Sequence, residues 1–560
     1  MPPVRPLPLE VDDVSLWSEA ELDELYEKVI EILASHEIRR PEPQMLGPWS
    51  WDEDYNRFLF LLYRSIPGVP DSARLTLLVT TEWNDSSAEN WERAVQEIKP
   101  FALSFLKQEV DVEIIGSQLT KSRDIRPLGH HPLIQDNWDA ISGEIKEVLQ
   151  RHPASRGTMT AITVFRMGNC DRDEDMPITV YVSVSHDCPE ASWPPIIDDI
   201  NKILEPYPLE LFFEHNHWQP TAFEPLPPSS KELFPYDFVR RPYQSCPDLG
   251  ADIGAAQYIE CDGQRQSPPM GTLGCYVDFK TIQGEQKTMA LTCYHVCRPC
   301  APGFTYEKGK PGTESVIPLP AGLPEAFDRS GIRPDHAYVL SGMEHPSRQR
   351  HNVNIAWLNA KLQKDLRENK RPNAEERLDA AHRAFDEGAN ILGKIWAASG
   401  FGHRSATNFF LEWALIEVQP SRQGRNQLPG LSVWESQYDS LDWPDEEAGA
   451  MDHLKMYRHG TALGTLEPGT KVYKHGAASG LTVGHYQGVK SHVGPSMNNP
   501  SGASTNAYLV ESFGTRPFCG PGDSGAVVYD AEGHALGLVF DFWGYREMLR
   551  SYRPANFTAN

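Results

Sequence analysis

The same succession of hydrophobic periods runs twice through the first 218 residues of the chain. "ELDELYEKVIEILASH" (Glu21 to His36) and "WDAISGEIKEVLQRH" (Trp138 to His152) space their apolar residues three and four apart, as one face of a helix requires. Both end in Leu-x-x-His. Each is followed by two apolar, β-branched runs, "RFLFLLYR" with "RLTLLVTTEW" and "TAITVFRM" with "PITVYVSVSH", which predict strands. A helix beginning near Trp91 or Trp193 comes next, and each copy closes on a strand, "VDVEIIG" or "LELFFEH". Residues 1–218 are therefore expected to form one duplicated α/β domain of two α-β-β-α-β units. No reactive cluster stands out in it. That suits a regulatory or interaction module with a protein partner.

The pattern breaks at Gln219. From there to Asp248 the chain is rich in proline and poor in periodic apolar residues, which predicts an extended linker, 219–248. From 249 to 560 the signals are short strands between Gly, Pro and Asp turns, among them "GTLGCYVDF", "KTMALTCYHV", "TKVYKHG", "SGAVVYD" and "HALGLVFDF". Such punctuation predicts an all-β domain. A helical block at about 355–390 interrupts it. "AWLNAKLQKDLRENKR" stops before Pro372, and "NAEERLDAAHRAFDEG" restarts with Asn373 as N-cap and Glu376 three residues on, so the block reads as an insertion between strands. The expected class is multidomain, α/β followed by all-β.

Charge narrows the function. With 77 acidic against 52 basic residues the formal net charge is -25, a field that repels phosphate backbones and anionic lipid. No nucleic-acid partner is expected. The N-terminus lacks the apolar core of a secretory signal, and no run approaches a membrane span. The nine cysteines are too sparse for a disulfide scaffold and read as reduced thiols, so a cytoplasmic location is expected.

Near the end of the chain, "FCGPGDSGAVVYD" sets Ser524 in a glycine turn before an apolar run. A serine nucleophile needs a base, and His295 ends the apolar run "MALTCYHVC", where the backbone would fix its position. The base needs an acid to orient it. Glu412 opens the apolar run "LEWALIEV", where a carboxylate must be solvated, paired or functional. Asp335, in "RPDHAYVL", is the alternative acid. Cys293, Cys297 and Cys300 around His295 raise a zinc reading, but no second ligand pair accompanies them, so neither metal nor cofactor is expected.

These motifs, in the order His295, Glu412, Ser524, resemble those of the chymotrypsin-like (trypsin-fold, PA-clan) serine proteases, over roughly residues 245–555 only. "ALTCYHV" is similar to that family's Thr-Ala-Ala-His strand, "EWALIEV" to its Asp-x-Ala-Leu strand, and "GPGDSGAVV" to its nucleophile loop. "KHGAASGLTVG" resembles the glycine-punctuated strand before that loop, and "GHALGLVF" the strand lining its substrate cleft. The resemblance implies a double β-barrel and an intracellular serine endopeptidase acting on a protein or peptide. It implies an oxyanion hole from the N–H groups of Gly522 and Ser524, and a substrate pocket near Phe518 and Cys519 without an acidic floor. Three departures accompany it. The acid is Glu, the gap from His295 to Glu412 is long, and no Ile-Val-Gly-Gly segment supplies a new buried amine, so Asp523 needs another partner or a loop preformed without one. A pseudoprotease that binds a peptide or partner through the same barrel is the alternative.

Overall fold

The computed structural model describes residues 10–38, 59–215, 243–306, 323–426 and 464–540, with short gaps inside these spans. Most of the expected linker, 219–242, lies outside the described residues. The chain is mixed α/β with several sheets, one of them curled into a half-barrel.

The first unit runs β1 (Glu10–Asp13), α1 (Glu19–Ser35), β2 (Leu59–Ile66), β3 (Val69–Thr81), α2 (Ser87–Leu106) and β4 (Asp111–Gly116). Strands β2 and β3 pair antiparallel and β3 and β4 parallel, the latter joined through α2. Leu25, Val29 and Leu33 of α1 and Ala94, Ile98 and Ala102 of α2 recur at helical spacing and bury against Leu75, Leu77 and Val79. The second unit repeats the plan with β5 (Asp124–Arg126), α3 (Pro132–Arg151), β6 (Met159–Gly168), β7 (Ile178–Val184), α4 (Trp193–Leu204) and β8 (Glu210–His215). Here β6 and β7 are antiparallel, and β7 and β8 parallel.

The two units do not share a sheet. The first has its own four strands in the order β1-β2-β3-β4, and its own core. The second is built into a nine-stranded sheet with the end of the chain, through pairing of β6 with β20 (Gly480–Val493) at Ile162 and His492. The single α/β domain expected over 1–218 is thus spread over two sheets. The physical reason is edge pairing: an unpaired strand edge exposes a row of backbone donors and acceptors. In the first unit β1 covers the edge of β2, and in the second β20 covers part of the edge of β6. Side chains reinforce the junction. Trp138 Nε1 donates to the Lys490 carbonyl at 2.6 Å, the Leu128 N–H donates to Gln487 Oε1 at 2.9 Å, and the Thr163 and Ser491 hydroxyls lie 2.7 Å apart.

The rest of the described chain is mostly strands, as its turn-punctuated pattern predicts. They are β9 (Asp252–Ala255), β10 (Ile259–Cys261), β11 (Gln264–Gln266), β12 (Gly271–Thr272), β13 (Cys275–Lys280), β14 (Gln286–Thr292), β15 (Thr305–Tyr306), β16 (Gly342–Glu344), β17 (Ile391–Ala398) and β18 (Ala414–Val418). After β18 come β19 (Lys471–Gly476), β20, β21 (Thr505–Ser512), β22 (Val527–Tyr529) and β23 (Ala535–Leu538). Seven strands form one sheet, β12-β9-β16-β17-β18-β14-β13, and β22, β23, β19 and β21 join β20 in the other. Five short helical segments aside among these described residues, the helical block is α5 (Arg348–Arg367) and α6 (Asn373–Asp386), inserted between the paired strands β16 and β17. It begins before the expected residue 355, because the charged first turn of α5 is buried and polar: Gln349 and Arg350 are both covered. Asn373 is the first residue of α6 rather than outside it, within the usual spread of helix boundaries.

A proteolytic nick within 219–242 should not release the N-terminal part. The β6–β20 pairing and its side-chain bonds should keep both fragments in one species on native size exclusion. Elution of a free N-terminal fragment would show the junction too weak to join them.

Candidate functional site

His295 lies just past the end of β14, in a single helical turn, Tyr294–Cys297, and is buried. Glu412 is buried too, two residues before β18. The sequence pattern places it in the strand, but pairing there is looser: the ladder starts at Ala414, and Ser399 N–H reaches the Trp413 carbonyl at 2.9 Å. Register brings the two residues together. Ala414 pairs with Thr292 in the antiparallel ladder, so two residues further along Glu412 falls level with Tyr294 and beside His295. Glu412 Oε1 accepts from the His295 backbone N–H at 3.2 Å and is hydrogen-bonded to Nδ1 of the same ring. A carboxylate can only accept, so this pairing places the Nδ1 proton toward Glu412 and leaves Nε2 as the basic nitrogen. Asp335 lies elsewhere, in a 3-10 turn (Pro334–Val339), with a side chain 71% exposed and 3.8 Å from Arg333.

Ser524 follows Gly522 and Asp523 in the turn before β22. Gly522 has φ +98° and Gly525 φ +94°, a backbone region that side-chain-bearing residues rarely adopt. Among the described residues, the N–H groups of Gly522 and Ser524 donate to no protein acceptor, and neither does the Ser524 hydroxyl. Ser524 keeps 9% of its surface exposed. Two N–H donors without a protein acceptor, beside a hydroxyl, form an arrangement that can hold a developing oxyanion.

The serine loop packs directly on the histidine's strand end. Thr272 N–H donates to the Ser524 carbonyl at 2.8 Å, and Thr292 Oγ1 donates to the Thr272 carbonyl at 2.8 Å. The Val539 carbonyl accepts from Gly525 N–H at 2.7 Å and from the Cys293 thiol at 3.3 Å. Sequence reasoning missed Thr272, which also donates through Oγ1 to the Gly522 carbonyl at 2.9 Å. It carries no signal of its own in a two-residue strand.

Asp523, between the two candidate oxyanion donors, is fully buried and forms an ion pair with Lys474 at 2.9 Å, itself fully buried. Burial works to raise the Asp523 pKa, but Lys474 and Ser479 outweigh it and hold the carboxyl below its ordinary value. Burial, with Lys474 alongside, pushes the neighbouring His475 down to about 4 and keeps it neutral. Lys474 was legible in hindsight. It shares the strand face of Val472 and Gly476, and a charge on a core-facing position calls for a partner.

Phe518 is buried with its ring 5.7 Å from Lys474 Nζ, and Cys519 is half-buried. Both line a cavity of about 430 Å³ whose other walls come from β20 to β23 and the two residues after β23, from Phe409 and Leu466, and from Thr160 and Ala161 of the second unit. None of its lining residues is charged. Cys293, His295 and Glu412 offer ligand atoms within 4.8 Å of one another, a geometry that could also hold a metal. Cys297 and Cys300 belong to no such group among the described residues. Burial raises the Cys297 thiol well above its ordinary value and pushes Cys300 to about 12, away from the thiolate a metal needs.

Gly525→Ala should be severe, because a Cβ there would sit 2.2 Å from Thr292 Oγ1 and 2.4 Å from the Thr272 carbonyl at a positive φ. A loss of about 3 kcal/mol or more is expected in denaturant unfolding, from clash and backbone strain together. A loss below about 1 kcal/mol would show the loop to be pliable. No protein-family model and no curated protein matches the chain.

Proposed function

We propose that the chain is a serine endopeptidase, with Ser524 as nucleophile, His295 as general base and Glu412 as the acid that orients it, on a chymotrypsin-like double β-barrel. The observation that carries this reading is the hydrogen-bonded His295–Glu412 pair held beside a serine loop with two open N–H donors. His295 Nε2 takes the Ser524 proton as Oγ attacks a peptide carbonyl. Gly522 and Ser524 N–H groups hold the oxyanion, each donor typically worth about 3–4 kcal/mol. The protonated imidazole, stabilised by Glu412, returns its proton to the leaving amine, and water then hydrolyses the acyl-enzyme. The uncharged cavity beside Phe518 favours an apolar residue at the cleaved position, since it offers no carboxylate to offset a buried cation.

Incubation with a fluorophosphonate probe should label the full-length protein on Ser524, and Ser524→Ala should remove the label. Glu412→Gln should slow labelling by about 10⁴, the loss seen when a triad carboxylate is neutralised. Asp335→Asn should change nothing. Full-rate labelling of Glu412→Gln would overturn the triad, and absent labelling of a folded wild type would favour the pseudoprotease.

A further inference from the structure

We propose that Lys474 is the positioning residue that keeps the Ser524 loop in its oxyanion-binding shape, so that the chain acts without any activating cleavage. This rests on the serine-peptidase reading above and names how that site is held ready.

Asp523 holds its neighbours through both carboxylate oxygens. Its carboxylate accepts from Ala478 N–H at 2.9 Å and Ser479 N–H at 3.1 Å through Oδ1. Through Oδ2 it accepts from Ser479 Oγ at 2.5 Å, Gly520 N–H at 3.0 Å and Lys474 Nζ at 2.9 Å. Two oxygens carry about four lone-pair sites, so the carboxylate is saturated. Its orientation is fixed, and with it the peptide groups on both sides. The peptide after Asp523 presents the open Ser524 N–H, and the peptide before it carries the carbonyl of Gly522, whose own N–H, one peptide further back, is the second open donor.

Four of these five donors are neutral. The fifth supplies the charge that lets a carboxylate stay ionised without water, and it comes from a strand core. Lys474 is the ion-pair partner of Asp523 among the described residues. It is tied into the same cluster by donating to Ser479 Oγ at 2.5 Å. No terminal amine is needed to complete the cluster, because the ammonium is already part of β19.

The helical insertion braces this arrangement. Gln349 Oε1 accepts from Met270 N–H at 2.9 Å, and Met270 Cε fills the space a Cβ on Gly522 would take, at 2.7 Å. Arg350 donates to the Ala477 carbonyl at 2.8 Å, next to the Ala478 and Ser479 donors. The loop is thus tied to Lys474 through Asp523, and to the first turn of α5 through Met270 and Ala477.

The experiment uses the full-length chain carrying an N-terminal extension, exposed to a fluorophosphonate probe and read by intact mass. The expected result is an adduct on uncut protein, forming at the same rate before and after limited proteolysis. Lys474→Met should label at least 100-fold more slowly while keeping its circular dichroism spectrum, and Lys474→Arg should recover part of the rate. If Lys474→Met does not fold, Asp523→Asn carries the same expectation, since it keeps the shape and removes the charge that Lys474 pairs with. Labelling that appears only on cleaved chains would overturn the proposal, as would wild-type rates in a folded Lys474→Met or Asp523→Asn. No labelling of wild type in either state would instead sink the peptidase reading itself.

Discussion

A carboxylate with no access to water is the constraint around which the serine loop is organised. An ion taken wholly out of water costs several kcal/mol even after relaxation, and only close charge and full hydrogen bonding repay it. Asp523 receives both. The consequence is geometric. The groups that satisfy it come from β19, from the Ala477–Ser479 turn and from Gly520, so the turn between β19 and β20 and the loop before β22 cannot move independently. Gly476 shows how tight the fit is, since a Cβ there would stand 2.2 Å from Asp523 Oδ1. A glycine, a lysine and a serine within six residues of one hairpin all answer to one buried charge.

That hairpin also joins the two halves of the molecule. Strand β20 is long enough to pair with β19 at one end and with β6 and β21 at the other. The second α/β unit is therefore part of the sheet that carries the serine loop, and its Thr160 and Ala161 help wall the apolar cavity beside Phe518. The first unit, built on the same plan, keeps to its own sheet. The two units share one plan, and the partner found for one strand edge places only the second in the sheet that carries the serine loop.

Much of this is legible along the chain, and what is not has a common cause. Helix faces, paired strands and the helical insertion follow from local periodicity and capping. The glycines around Ser524 announce a turn of positive φ, and His295 follows an apolar run that fixes its backbone. What local pattern cannot carry is register. The β6–β20 ladder joins residues more than 300 apart, and nothing at Ile162 marks His492 as its partner. The same holds for Lys474 and Asp523. Each is an oddity alone, a lysine with core-facing parity and an acid in a glycine turn, and only the fold reveals them as one feature.

The acid beside His295 shows how such departures from a familiar motif become tolerable. A glutamate is one methylene longer than the aspartate of the resembling family, and inside a ladder that length would displace the imidazole or the strand. Glu412 is outside the ladder, which begins at Ala414. Its neighbours are held outside that ladder, Leu411 N–H by the His403 carbonyl at 3.1 Å and Trp413 N–H by Ser399 Oγ at 2.9 Å, so the pairs Ala414–Thr292, Leu415–Leu291 and Ile416–Ala290 do not set where Glu412 sits. Its Oε1 then meets both the ring and the backbone N–H of one residue, His295. An acceptor shared between a side chain and its own main chain fixes the ring relative to the backbone that carries it. The added reach of glutamate is absorbed in the approach to the strand, while the direction of the imidazole is set by two donors at once.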